Sequence, residues 1–164
     1  MSTVFLSIGT NLGQREENLK KAVKMIGAEA GSVQALSSVY ETEPWEMETK
    51  DLFFNIAIKI ATALTPHILL KTAHDIENRM GRIRKGSGFS SRIIDIDILF
   101  FNNLIISDEN LVIPHPFITQ RRFVLEPLAK IAPHFIHPKI GKSIESLLEL
   151  CTDKCVVRKT EITL

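Results

Sequence analysis

The stretch Arg92-Ile93-Ile94-Asp95-Ile96-Asp97-Ile98-Leu99-Phe100-Phe101 sets the reading of the whole chain. Ile94, Ile96, Ile98 and Phe100 alternate with Asp95 and Asp97, the period of a β-strand with one face in a core. Both aspartates then point the same way, their Cα atoms roughly 6.6 Å apart at about 3.3 Å of rise per residue. Carboxylates that close repel unless cations sit between them. Mg²⁺, a hard oxygen-seeking ion, is the usual answer and completes its shell with phosphate oxygens. Upstream, Arg79, Arg82, Arg84, Lys85 and Arg92 fall between Asn78 and Ile94 with no acid among them, interleaved with glycine and serine. An isolated D-x-D is most often a solvated strand face. A basic, glycine-rich loop feeding this one points instead to polyphosphate chemistry, with guanidinium groups clamping phosphate oxygens.

The composition allows this and narrows the alternatives. At 164 residues, 45% hydrophobic and 24% charged, the chain reads as one globular domain over residues 1–164. A formal net charge of +1 argues against a general nucleic-acid or membrane-surface binder, so the basic loop is a local feature. No apolar run approaches membrane-span length, and the N-terminus lacks the regions of a signal peptide. With Cys151 and Cys155 read as reduced thiols, a cytoplasmic location is expected; a monomer is expected as well.

Around the acidic strand, Val4 to Ile8 reads as a first strand and Gln14 to Ala28 as a helix ended by glycine. Ser32 to Tyr40 reads as a second strand, followed by a polar loop to Asp51 that carries the only tryptophan, Trp45. Leu52, Phe54, Ile56, Ile58 and Ile60 form a period-two apolar face. The opposite face carries Phe53 and Asn55, a pair suited to a flat ligand that is both stacked and hydrogen-bonded. Thr65-Pro66 opens a helix to Met80 with Gly81 as its stop, its core stripe being Ile68, Leu69, Thr72, Ala73, Ile76 and Met80. Leu70, His74 and Glu77 share a neighbouring stripe. Leu104–Ile106 and the segment Leu111 to Pro116 read as short edge pieces. Helices are expected over Arg122 to Ile131 and from a Ser143 cap through Leu150, with a last edge strand over Val156 to Ile162. The irregular alternation makes an α+β, two-layer, ferredoxin-like sandwich with helices against a mostly antiparallel sheet.

Other signals are weaker. Arg121-Arg122 beside Phe123 repeats the basic-aromatic theme, and His115 sits between two prolines that fix its backbone. His134 and His137 with Cys151 and Cys155 lack zinc-finger spacing. Gly141-Lys142-Ser143 resembles the end of a phosphate-binding loop, but Ile136 stands where its first glycine is required. No nucleophile is needed if a bound hydroxyl attacks phosphorus directly, since that transfer depends on positioning and charge neutralisation. The rival readings are a D-x-D nucleotidyltransferase releasing pyrophosphate and a non-catalytic ferredoxin-like RNA-binding module.

Taken together, Ile8-Gly9-Thr10-Asn11-Leu12-Gly13, Tyr40-Glu41-Thr42-Glu43-Pro44, Phe54-Asn55, the Arg92 to Leu99 motif and Pro114-His115-Pro116 resemble the 6-hydroxymethyl-7,8-dihydropterin pyrophosphokinase family nearly end to end. That resemblance implies a three-layer α-β-α sandwich moving pyrophosphate from MgATP to a pterin hydroxymethyl group, with AMP released. It implies two Mg²⁺ ions on Asp95 and Asp97, and catalytic Arg82 and Arg92, with Arg84 and Lys85 assisting. ATP would meet Leu70, His74, Glu77, Ile98, His115 and Arg121 as well. The pterin would lie between Phe53 and Phe123, read by Asn55 and by Thr42, Glu43, Pro44 and Trp45. The chain departs from the family pattern at Gly88, Phe89, Ser90, Asn110 and Pro116.

Overall fold

The computed structural model describes residues 1–46, 49–81 and 91–164. In chain order it runs β1 (Ser2–Thr10), α1 (Arg15–Glu29), β2 (Ser32–Leu36), β3 (Tyr40–Thr42), β4 (Phe53–Thr62) and α2 (Pro66–Arg79). There follow β5 (Asp95–Phe101), β6 (Ile106–Ser107), β7 (Val112–Ile113), a short 3-10 turn (Ile118–Gln120), α3 (Arg122–Ile131), α4 (Ile144–Leu150) and β8 (Val157–Lys159). β1 and β4 pair along their whole length, from Ser2 opposite Thr62 to Thr10 opposite Phe54. β5 flanks β1 at one edge of the sheet. β2 and β3 both run beside β4, and β8 closes the far edge next to β3. The strand pairings are antiparallel.

Period-two alternation gives this sheet two apolar faces, each covered by two helices. Ile8, Ile56, Ile58 and Ile96 pack with Leu19 and Ile26 of α1 and Leu69, Ala73 and Ile76 of α2. Phe5, Ala57, Leu99 and Phe100 pack on the opposite face with Val124, Leu125 and Leu128 of α3 and Ile144 and Leu147 of α4. The result is the three-layer, ferredoxin-like α-β-α sandwich that the family resemblance implies, and not the two-layer one read from the alternation, because both sheet faces are apolar and each takes helices.

The expected boundaries hold best where caps set them. α2 begins at Pro66 after Thr65, where the proline and not a hydroxyl bond marks the start, since Thr65 makes no side-chain capping hydrogen bond; it stops at Gly81, whose φ of +93° suits glycine. α4 starts behind Ser143, whose Oγ accepts from the Ser146 N–H at 3.2 Å. Three further expectations need correction. The strand read over Ser32 to Tyr40 is interrupted at Ser37, whose hydroxyl accepts from Ala57 N at 2.9 Å in place of a ladder carbonyl. In β5 the register jumps between Phe5 and Leu6, which leaves Leu99 as an extra residue; Phe100 therefore turns into the second core, and Phe101 takes its place in the first. Ile68, read as core, is half exposed. Among the described residues no helix is long and apolar enough to cross a membrane.

Candidate active site

The strand register assembles the site. Asp95 lies opposite Gly9, which lies opposite Asn55 in turn, and Asp97 lies opposite Ser7, which faces Ala57. Thr42 lies opposite Phe53. One sheet face thus carries acid, hydroxyl, amide and aromatic groups together. α3 and α4 cover the rest of that face, while Arg121 and Phe123, at the start of α3, reach over the polar end.

A cavity there is lined by Ser7, Gly9, Thr42, Glu43, Trp45, Phe53, Asn55, Arg92, Asp95, Asp97, Arg121 and Phe123. Asn55 is buried, and its Nδ2 donates to Thr42 Oγ1 at 2.6 Å. A Cβ on Gly9 would stand 2.5 Å from Asn55 Oδ1, so only glycine leaves room for this amide. Of the residues expected to read a pterin, Pro44 alone does not line the cavity.

A second cavity of about 300 Å³ opens across the edge of β5. Leu70, His74 and Glu77 of α2 form one wall, and Asn110, Leu111, Val112, His115 and Pro116 form the other. Asn110 and Pro116, two of the departures from the family pattern, therefore line it. Ile98 belongs here too, but its side chain is buried in the core, so it presents the backbone of an edge strand. Glu77 is buried as well, and its Oε1 accepts from Ile96 N at 2.8 Å, between the two aspartates. Asp95 and Asp97 line both cavities and form their common wall.

Charge is concentrated at that wall. Arg92 Nη1 lies 2.6 Å from Asp95 Oδ2, with both side chains largely covered. Asn11 holds the Arg92 backbone from two sides, its Oδ1 accepting from Arg92 N at 2.7 Å and its own N–H donating to Arg92 O at 3.1 Å. Burial, reinforced by Asp95, pushes the Asp97 carboxyl up to about 7, while Arg121 pulls the other way. Burial, helped by Arg121, pushes His115 down to about 4, so its imidazole is neutral at pH 7. Burial also lowers the Arg121 guanidinium.

Arg82, Arg84 and Lys85, together with Gly88, Phe89 and Ser90, lie outside the described residues. Arg92 and Arg121, expected at ATP, line the first cavity; Leu70, His74, Glu77, Ile98 and His115 line the second. Arg122 does not join its neighbour: it donates to the Cys151 and Asp153 carbonyls and ties α3 to the chain after α4. His134 lies 3.1 Å from Glu145, and His137 Nδ1 accepts from the Lys139 and Ile140 amides. Ser7 and Gly9 were not singled out from sequence as site residues. The signal was available, since both fall on the β1 face that register brings beside Asp97 and Asp95.

A model of the 7,8-dihydro-6-hydroxymethylpterin-pyrophosphokinase family matches residues 5–133. The chain is 42% identical over 137 residues to 2-amino-4-hydroxy-6-hydroxymethyldihydropteridine pyrophosphokinase of Methylorubrum extorquens, covering 83% of this chain and 86% of that one. It is 41% identical over 128 residues to the Bacillus subtilis protein of the same name, covering 77% and 76%. Against the folic acid synthesis protein FOL1 of Dictyostelium discoideum it is 43% identical over 137 residues, 84% of this chain but only 20% of that protein's length. Among solved structures, Plasmodium falciparum HPPK-DHPS superposes with a TM-score of 0.75 at 18% identity, over 91% of this chain and 43% of that one.

Proposed function

The chain belongs to the 7,8-dihydro-6-hydroxymethylpterin-pyrophosphokinase family, and we propose that the wall shared by the two cavities is where its substrates meet. Its reaction is the transfer of pyrophosphate from ATP to the hydroxymethyl group of 6-hydroxymethyl-7,8-dihydropterin, a step of folate biosynthesis. The observation that carries the proposal is that Asp95 and Asp97 face both cavities. In this reading the first cavity takes the pterin and the second the adenosine, so the triphosphate crosses the aspartates.

The pterin ring stacks between Phe53 and Phe123, and Asn55, held by Thr42, reads its amide edge together with the chain from Thr42 to Trp45. In the second cavity Leu70, His74 and Glu77 flank the nucleoside, and the β5 edge at Ile98 offers backbone groups to the base. His115, neutral, donates to phosphate or ribose. Arg92 and Arg121 meet the transferring phosphates from the pterin side, with Arg82, Arg84 and Lys85 as further phosphate contacts. The substrate hydroxyl attacks the β-phosphorus in line, and AMP leaves. Charge developing on the bridging oxygens is met by the guanidinium groups, of which Arg92 and Arg121 are held in place before the reaction begins.

The donor set suits Mg²⁺. Asp95 and Asp97 are hard oxygen ligands on one face, and among the described residues they belong to no cluster of three or more His, Cys, Asp or Glu side chains. Two Mg²⁺ ions held there would take most of their shell from nucleotide and water oxygens and neutralise the phosphate charge. Arg92 balances Asp95, and Asp97, raised to about 7 by burial and by Asp95, would exchange its proton for a bound cation.

Incubation with MgATP and the hydroxymethyl-dihydropterin tests the reading. AMP and the pterin diphosphate are expected in equal amounts, with turnover lost in Asp97→Ala while pterin binding is retained. Release of pyrophosphate, or near-normal turnover by Asp97→Ala, would refute it.

A further inference from the structure

Arg121 is held by three ring faces, Trp45 from the loop after β3 and Phe117 and Phe123 from its own stretch of chain. Its Cζ lies 4.6 Å from the centre of the Trp45 ring, 4.9 Å from Phe117 and 5.6 Å from Phe123. Trp45 and Phe117 also touch each other, their centres 5.9 Å apart and their planes tilted by 46°. Trp45 and Phe123 line the first cavity; Phe117 lines neither cavity and was not expected at the site. It stays 38% exposed, although a polar side chain at such a position would keep its water contacts. Core packing alone is a weak reason for a ring there.

Phe117 also touches the second phosphate-facing residue. Its backbone N–H donates to His115 Nδ1 at 3.2 Å, and its ring centre lies 5.9 Å from the imidazole. An accepting Nδ1 on a neutral ring places the proton on Nε2. A guanidinium stacked on aromatic faces is attracted by the ring quadrupole and keeps its N–H groups in its own plane, directed past the rings.

We infer that Phe117 is a positioning residue for the transfer: with Trp45 it cages the Arg121 guanidinium in the cavity shared with Asp95 and Asp97, and its amide sets His115 as an Nε2–H donor. The inference rests on the reading of Arg121 as a phosphate contact. It adds that the cage, built from residues that touch no ligand as well as from residues that do, sets how Arg121 is presented.

A double-mutant cycle on kcat/KM for MgATP tests the ring's part. Phe117→Leu keeps apolar bulk and the backbone N–H but removes the π face. It should lower kcat/KM roughly three- to tenfold, the effect of one partly covered cation–π contact. Phe117→Tyr and Phe117→Trp keep the face and should stay within about twofold of the parent. In an Arg121→Gln background, already impaired, Phe117→Leu should cost nothing further, because the group it positions is gone. Thermal unfolding run alongside shows whether Phe117→Leu remains folded, and the aromatic variants carry the comparison if it does not. An equal loss with and without Arg121, or Phe117→Tyr falling as far as Phe117→Leu, would overturn the inference and leave the Arg121 reading standing. Full activity in Arg121→Gln alone would overturn both.

Discussion

Asp97 is a residue whose chemistry the fold distorts strongly. Its carboxyl sits at about 7 against an ordinary 3.8, because burial and Asp95 both penalise the charge. Between those values the native state binds a proton that the unfolded chain has released, so this residue's contribution to stability falls as pH rises from about 4 to 7 and levels off above. Asparagine has no proton to lose. Measured by urea unfolding in EDTA, Asp97→Asn should gain on the parent as pH rises through that window, by roughly 1–3 kcal/mol at pH 8 relative to pH 4.5. Excess Mg²⁺ with nucleotide should shrink the gap, since it favours the charged form. A constant difference between the two proteins across pH would mean that Asp97 titrates normally. The acids were legible in sequence because D-x-D shows its own period. Phe117 was not, because nothing local distinguishes an aromatic that packs on a guanidinium from one that packs on a core.

Elements bring these residues together through register, a quantity that no single strand reveals. Phe53 and Asn55 stood out on their own strand, yet the reason Asn55 fits is Gly9, 46 positions earlier and directly opposite. A methyl group on Gly9 would stand 2.5 Å from Asn55 Oδ1. Gly9→Ala should therefore displace the amide from its bond to Thr42 and raise the KM for pterin about tenfold with little change in kcat, the cost of one buried hydrogen bond. A fall in kcat with KM unchanged would mean that β1 itself had shifted under the aspartates. The same dependence on neighbours explains what was misread in the elements. Period two ran unbroken through Phe100, but the partner strand imposes a bulge at Leu99 that turns the ring into the other core. Ser37 breaks its strand for a similar reason, because a hydroxyl can stand in for a carbonyl in the ladder. Helices fared better, since Pro66, Gly81 and Ser143 are local signals that tertiary context did not overrule, even though the Thr65 hydroxyl makes no capping bond.

At the scale of the molecule, one sheet separates two helical layers, and its first edge strand separates two cavities. The cavities on either side of β5 share Asp95 and Asp97, so the two binding events proposed for them would be linked through charge at one wall. A ligand that binds only the folded state stabilises it by RT ln(1 + [L]/Kd), about 2.7 kcal/mol at one hundred times Kd. For a chain of this size that corresponds to a rise in Tm of roughly 5–10 °C, at about 2–4 °C per kcal/mol. A non-hydrolysable MgATP analogue and the pterin should each raise the Tm of the parent. Asp97→Ala should lose the nucleotide shift and keep the pterin shift, because stacking on Phe53 and Phe123 and the Asn55 amide need no cation. Removing Mg²⁺ from the parent should reproduce the Asp97→Ala pattern. If that variant instead loses both shifts, or if the analogue still stabilises it fully, the nucleotide does not cross the aspartates, and the division of labour between the cavities falls with it.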